Sequence, residues 1–218
     1  MYRHDIPRGW RVAVLLLVTA GLAAGGCTPD EDPVVTVQPG APGEPGQVIE
    51  PGGGQPDQPP TAADMRFVQA MIAHHAQALE LTGLVDARTS REDIRLLAER
   101  MEISQADEIA VLEGWLEARG EPVTGDHQDH QAGGPLMPGM LTGAQLAELA
   151  AAQGGEFDRL FLESMTYHHE GARIMVAELF AAGGGAEAEI FQLATHIDSD
   201  QRIEIDRMQR LLADLPGG

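Results

Sequence analysis

The sequence predicts an all-α fold: an antiparallel four-helix bundle made of two duplicated helical hairpins, joined by a long crossover that contains a short extra helix. Three observations lead there. First, one stretch occurs twice, as DMRFVQAMIAHHAQA at 64–78 and DRLFLESMTYHHEGA at 158–172, with Asp, Phe, Met, His, His and Ala in register 94 residues apart. Second, a further signature follows each copy: Gln105 with Glu108-Ile109, then Gln201 with Glu204-Ile205, now 96 residues apart. Self-similarity of this kind marks an internal duplication. Third, four long segments carry apolar residues at helical spacing on one face, and two such hairpins bury their faces most simply against one another.

The first helix is expected to begin near Thr61, where Thr61 and Asp64 have capping-box spacing, and to run to about Val85. At 100° per residue, Asp64, Phe67, Met71, His74, His75 and Ala78 fall within an arc of roughly 100°. Met71 and His75 sit near its centre and His74 at its edge. A turn at 86–90 leads to a second helix from Arg91 to about Arg119, closed by Gly120 and Pro122. Its apolar stripe of Ile94, Leu97, Met101, Leu112 and Trp115 is interrupted by Gln105 and Glu108, and a buried carboxylate needs a cation, a histidine or a donor. Residues 121–141 break the periodicity. A short helix follows from Thr142 to about Gln153, capped by Thr142 with Gln145 and ended by Gly154-Gly155. The second half repeats the plan with helices over 156–182 and 186–215, separated by three glycines. Met165, His168 and His169 then match Met71, His74 and His75, and Gln201 and Glu204 match Gln105 and Glu108.

This plan brings two Met/His faces toward two Gln/Glu faces, so two histidines, two methionines and two glutamates can meet near a pseudo-twofold axis. Imidazole with thioether favours copper, Cu(I) in particular, while carboxylate widens the choice toward Cu(II), zinc or iron. The inner pair His75 and His169 carries this reading furthest. His74 and His168, at the face edge, either ligate, orient a neighbour or are solvated. Met71 and Met165 taken alone are equally well read as core filler. Asp64 and Asp158 precede the inner histidines by 11 residues, about 16 Å along a helix, so they serve the helix dipole and not a shared metal. The crossover concentrates His127, His130, Met137 and Met140, soft ligands suited to copper capture or else a solvated connector. His196 lies outside the duplication and is set aside.

Composition narrows the partners. The 218 residues include 14 basic and 34 acidic ones, a formal charge of −20, and no lysine. Phosphate backbones are repelled, which argues against a nucleic-acid partner. Arg3, Arg8 and Arg11 precede a 13-residue apolar run from Val12 to Ala24, too short for an ordinary membrane span and right for a secretory signal. The run ends Leu-Ala-Ala-Gly-Gly-Cys27 and resembles a bacterial lipoprotein signal, with Cys27 as the lipidated residue. Residues 1–26 are therefore read as a signal peptide and 27–60, rich in proline, glycine and acids, as a disordered tether. Residues 61–218 form the bundle domain. It contains no cysteine for disulfides or thiolate chemistry.

The D-x-x-F-x-x-x-M-x-x-H-H-x-x-A motifs, the MPGM segment at 137–140, the stretch 154–179 and the closing Q-x-x-E-I resemble the bacterial family catalogued as domain of unknown function 305, over Asp64 to about Leu212. The resemblance implies a ferritin-like bundle. It also implies copper binding through Met71, His74, His75, Met137, Met140, Met165, His168 and His169, as in secreted members that serve copper tolerance. Some of those relatives carry additional Met/His clusters, whereas only Leu-Pro-Gly-Gly follows Asp214 here, which implies a small capacity. The expectation is a non-catalytic, lipid-anchored, extracytoplasmic protein that buffers or scavenges copper, with Gln105, Glu108, Gln201 and Glu204 as supporting residues or ligands. One alternative is a ferritin-like dinuclear metal oxidoreductase, although no Glu-x-x-His places its histidine on the core face. The other is a metal-free interaction module whose histidines and glutamates form a buried hydrogen-bonded network.

Overall fold

Among the described residues the domain has five helices: α1 (Ala62–Thr82), α2 (Glu92–Glu117), α3 (Gly143–Ala151), α4 (Gly154–Ala181) and α5 (Ala188–Ala213). The computed structural model describes residues 59–123 and 136–216, and the backbone of 36–38 and 47–49. Cys27, His127 and His130 lie outside the described residues, as does most of the expected tether. Within that segment β1 (Thr36–Gln38) pairs antiparallel with β2 (Gln47–Ile49), with Val37 opposite Val48, a short ribbon that the reading of 27–60 as wholly disordered did not include.

Local signals fix the helix ends. Thr61 and Asp64 form the expected capping box: the Asp64 N–H donates to Thr61 Oγ1 at 3.2 Å and the Thr61 N–H donates to Asp64 Oδ2 at 2.6 Å. Thr142 and Gln145 do the same for α3. Gly154 and Gly155 are the first residues of α4 and not the stop after α3, which already ends at Ala151. Asp158 consequently lies in the second turn of α4, buried, and Glu156 is the first-turn acid.

Two ties set the arrangement. Gly185, just beyond α4, donates its N–H to the buried Asp64 Oδ1 at 2.7 Å, and Gly154, at the start of α4, donates to the Arg88 carbonyl just beyond α1 at 2.8 Å. α1 and α4 therefore run antiparallel, each hairpin is antiparallel within itself, and α2 and α4 point the same way. Only a connection spanning the bundle can join two successive helices that point the same way, which is the role of the crossover. At the far ends of α2 and α5, Trp115 Nε1 donates to Glu187 at 3.2 Å while the Arg119 guanidinium stacks 4.0 Å over the indole and pairs with Glu187.

The core divides into two apolar clusters. One holds Ala78, Leu81, Ile94, Leu97, Phe157, Phe161 and Met165; the other holds Phe67, Met71, Leu112, Trp115, Ala172, Val176 and Ile197. The duplicated polar residues occupy the level between them.

The crossover returns to the bundle at Met137-Pro138-Gly139-Met140. The Met140 N–H donates to the Met137 carbonyl at 3.1 Å, and Gly139 has φ +75°, as a turn with proline and glycine at its centre requires. This turn lies on the α4 backbone at Gly171, where an added Cβ would stand 2.2 Å from the Pro138 oxygen and 2.4 Å from the Gly139 Cα. Gln77 completes the attachment, donating to the Leu141 carbonyl at 3.0 Å and accepting from the Leu141 N–H at 2.8 Å. Because both clashing partners are backbone, Gly171→Ala is expected to cost about 1–3 kcal/mol, as overpacking does. Urea unfolding of the variant beside Gly155→Ala, where a Cβ meets nothing within 4 Å, checks this; equal midpoints would contradict it.

Candidate metal centre

Four histidines, two glutamines and two glutamates share the central level. His74, His75, His168 and His169 are all 0–1% exposed, as are Gln105 and Gln201. Such complete burial of polar groups on long helices demands partners for each of them.

The inner histidines have theirs. His75 Nε2 lies 2.6 Å from Glu108 Oε2, and His169 Nε2 lies 2.6 Å from Glu204 Oε2. Each glutamate thus serves the histidine of its own hairpin. A carboxylate only accepts, so Nε2 carries the hydrogen in both rings, and Nδ1 of each is left without a partner. His74 repeats the arrangement with a different acceptor: its Nε2 donates to the Pro138 carbonyl at 3.0 Å, and its Nδ1 has no partner. An imidazole whose far N–H is held by a carboxylate or carbonyl while its other nitrogen is free is the usual disposition of a metal-ligating histidine.

The outer histidines meet at the pseudo-twofold axis. The rings of His74 and His168 lie against one another, centroids 3.8 Å apart and tilted by 36°, and neither nitrogen of His168 has a side-chain partner. The two halves match closely: His74 and His75 centroids are 6.3 Å apart, His168 and His169 centroids 6.2 Å. Burial first, and then the neighbouring His75, lowers the His74 pKa to about 3, against a smaller upward pull from the Pro138 carbonyl. Burial, followed by His74 and His169, holds His168 well below the ordinary imidazole range. Both rings are therefore neutral at pH 7, with lone pairs available for a cation.

These positions correct the helical-wheel assignment. His74 and His168, expected at the face edge, are at the centre, whereas His75 and His169 face outward to α2 and α5. A wheel has one face, but α1 packs on both α2 and α4, so consecutive histidines address different neighbours. Met71 and Met165 are fully buried as expected, yet they do not converge on the axis: Met71 belongs to one apolar cluster and Met165 to the other. The antiparallel seam puts each methionine level with the alanine of the opposite motif, Ala172 or Ala78. Met137 and Met140, both partly buried, flank the turn whose carbonyl holds His74. Gln105 and Gln201 point inward with neither amide atom partnered. Among the described residues His196, set aside in the sequence, stands with Glu108 and Asp200 in a group whose ligand atoms lie within 4.8 Å of one another. The i, i+4 spacing of His196 and Asp200 is its only trace in the sequence.

The neutral buried imidazoles make stability depend on pH. The unfolded chain takes up protons at these rings below about pH 6.5, whereas folded His74 does so only near 3 and folded His168 also well below 6.5. Their contribution is fully present above pH 6.5 and is lost as pH falls below it, by up to about 1.4 kcal/mol per pH unit for each ring. Urea midpoints at pH 7.5, 6.5 and 5.5 are expected to fall in that order, and less steeply in His168→Leu.

The same fold occurs in solved structures. A DUF305 protein of Streptomyces coelicolor is 31% identical with TM-score 0.62, the match covering 70% of this chain and 91% of that one. A DUF305 fragment from Deinococcus radiodurans is 32% identical with TM-score 0.62, covering 72% and 100%. CopM in a Cu(II)-bound form is 25% identical with TM-score 0.55, covering 69% and 96%. No functionally curated protein matches the chain in sequence. The family model for the domain of unknown function DUF305 matches residues 64–212, and the chain belongs to that family.

Proposed function

We propose that this domain is an extracytoplasmic copper-binding protein, lipid-anchored through Cys27, that buffers or scavenges the metal without catalysing a reaction on it. One observation carries the reading: His74 and His168 meet ring against ring in the core, held neutral, with three of their four ring nitrogens unpartnered. Burying unpaired polar atoms costs about 1–3 kcal/mol each, a cost that a bound cation offsets. The Nδ1 atoms of His75 and His169 add two further nitrogens at the same level. Met137 and Met140 bring thioethers on a turn fastened beside His74, and thioether with imidazole favours Cu(I). CopM, with the same fold, binds copper, and the Streptomyces coelicolor relative is described as secreted; both support the reading. A dinuclear oxidoreductase has less support, since the central level holds one glutamate per half and each is engaged by a histidine.

The two short His–Glu bonds favour a second reading, in which the level is a metal-free network that fixes the packing of the bundle. The unpartnered His168 and the two unpartnered glutamine amides weigh against it.

An anaerobic Cu(I) titration of residues 61–218 against a competing chelator separates the readings. Tight binding is expected in the native domain, weakened at least tenfold, about 1.4 kcal/mol, by His74→Ala/His168→Ala. A smaller loss is expected for Met137→Leu/Met140→Leu. Absence of competitive binding by the native domain would leave the metal-free network as the better account.

A further inference from the structure

We infer that the cleft between α2 and α5 is a second, chemically distinct cation site, in which Glu108, His196 and Asp200 take a divalent ion of the zinc or Cu(II) class. One ligand atom from each lies within 4.8 Å of the other two. His196 Nε2 and Asp200 Oδ2 are already 3.2 Å apart, close to the roughly 3.4 Å edge of a tetrahedron around zinc with bonds near 2.1 Å. His196 is about two-thirds exposed and can swing to complete the set, leaving positions for water.

Glu108 shows that the group is more than a chance meeting of surface charges. It is 94% buried, lines the cleft, and its Oε1 has no partner while its Oε2 is engaged by His75. An unpartnered carboxylate oxygen at that depth calls for a cation or a donor. The cleft, of about 760 Å³, has apolar walls at Ile103, Val111 and Leu193, and its charged lining is mostly acidic: Asp107, Glu189 and Asp200 join Glu108, with Arg100 as the opposing charge. Asp198, nearby on α5, is taken up by Arg173 and Arg202, whereas Asp200 is turned to His196.

The duplication shows that this feature has no symmetry mate. The 96-residue offset that maps Glu204 onto Glu108 maps His196 onto Arg100 and Asp200 onto Ser104. The first half therefore sets a cation and a hydroxyl where the second sets an imidazole and a carboxylate, so Glu204 has no matching pair of ligands. The ligand set, one nitrogen and two oxygens with no thioether, selects divalent ions and excludes the soft preference of the core. Glu108 belongs to both sites, bonded to His75 through Oε2 and lining the cleft, so an ion in the cleft sits one residue from the central level.

This inference does not rest on copper binding in the core, and the test keeps them apart. Zn²⁺ is titrated calorimetrically into the full chain at pH 7.5, into His196→Ala and Asp200→Asn, and into His74→Ala/His168→Ala. The expected result is a zinc equivalent weakened at least tenfold in each cleft variant and retained in the core double variant. Both cleft residues reach solvent, so their replacement leaves the bundle folded, which thermal unfolding without metal verifies. Zinc binding unchanged in both cleft variants, or no zinc binding by the native chain, would overturn the assignment. Loss of zinc in the core variant with retention in the cleft variants would likewise overturn it and place the ion at His74 and His168.

Discussion

Everything in this domain depends on how six large polar side chains are accommodated at one level of a hydrophobic bundle. Four imidazoles and two amides buried at that depth must find partners within the protein or be compensated by a ligand. The solution is graded. Glu108 and Glu204 hold the histidines next to α2 and α5, and a backbone carbonyl from the crossover holds one of the two at the axis. Past that point the protein offers no further acceptors or donors, and Gln105, Gln201 and His168 are left with open valence. The apolar clusters above and below this level supply the folding energy that makes so unfavourable an arrangement tolerable.

The crossover is part of this solution. Its turn approaches α4 so closely that glycine is needed on both sides of the contact, at 139 and at 171. Gln77 fastens the following residue, so the Pro138 carbonyl reaches His74 as a positioned acceptor. The pseudo-symmetry is broken here, since His168, the counterpart of His74, receives no carbonyl from the crossover turn. A duplicated pair of hairpins thus yields two unequal imidazoles at the axis.

Much of the fold was readable from residues alone, because its signals are local. Thr61 with Asp64 and Thr142 with Gln145 mark helix starts through hydrogen bonds spanning three residues, and the repeated motif makes two equivalent hairpins nearly unavoidable. What one helix does not encode is how helices surround one another. Nothing within α1 says that His74 faces α4 while His75 faces α2, so a helical wheel exchanges the centre and the edge of the stripe. Repeated faces suggest that the methionines converge at the axis, whereas an antiparallel seam sends Met71 and Met165 to opposite sides. His196 has no counterpart in the other half, and a repeat carries no signal for what is not repeated.

The histidine pair at the axis has a thermodynamic implication. Each hairpin owns a complete His–Glu bond, but His74 and His168 come together only when α1 docks on α4. A ligand held by both rings would therefore do little for either hairpin by itself and act wholly on their association. Its binding energy would appear as cohesion between the two halves. For such a ligand, occupancy and inter-hairpin docking would be a single linked equilibrium, the ligand standing as third member of a two-part assembly.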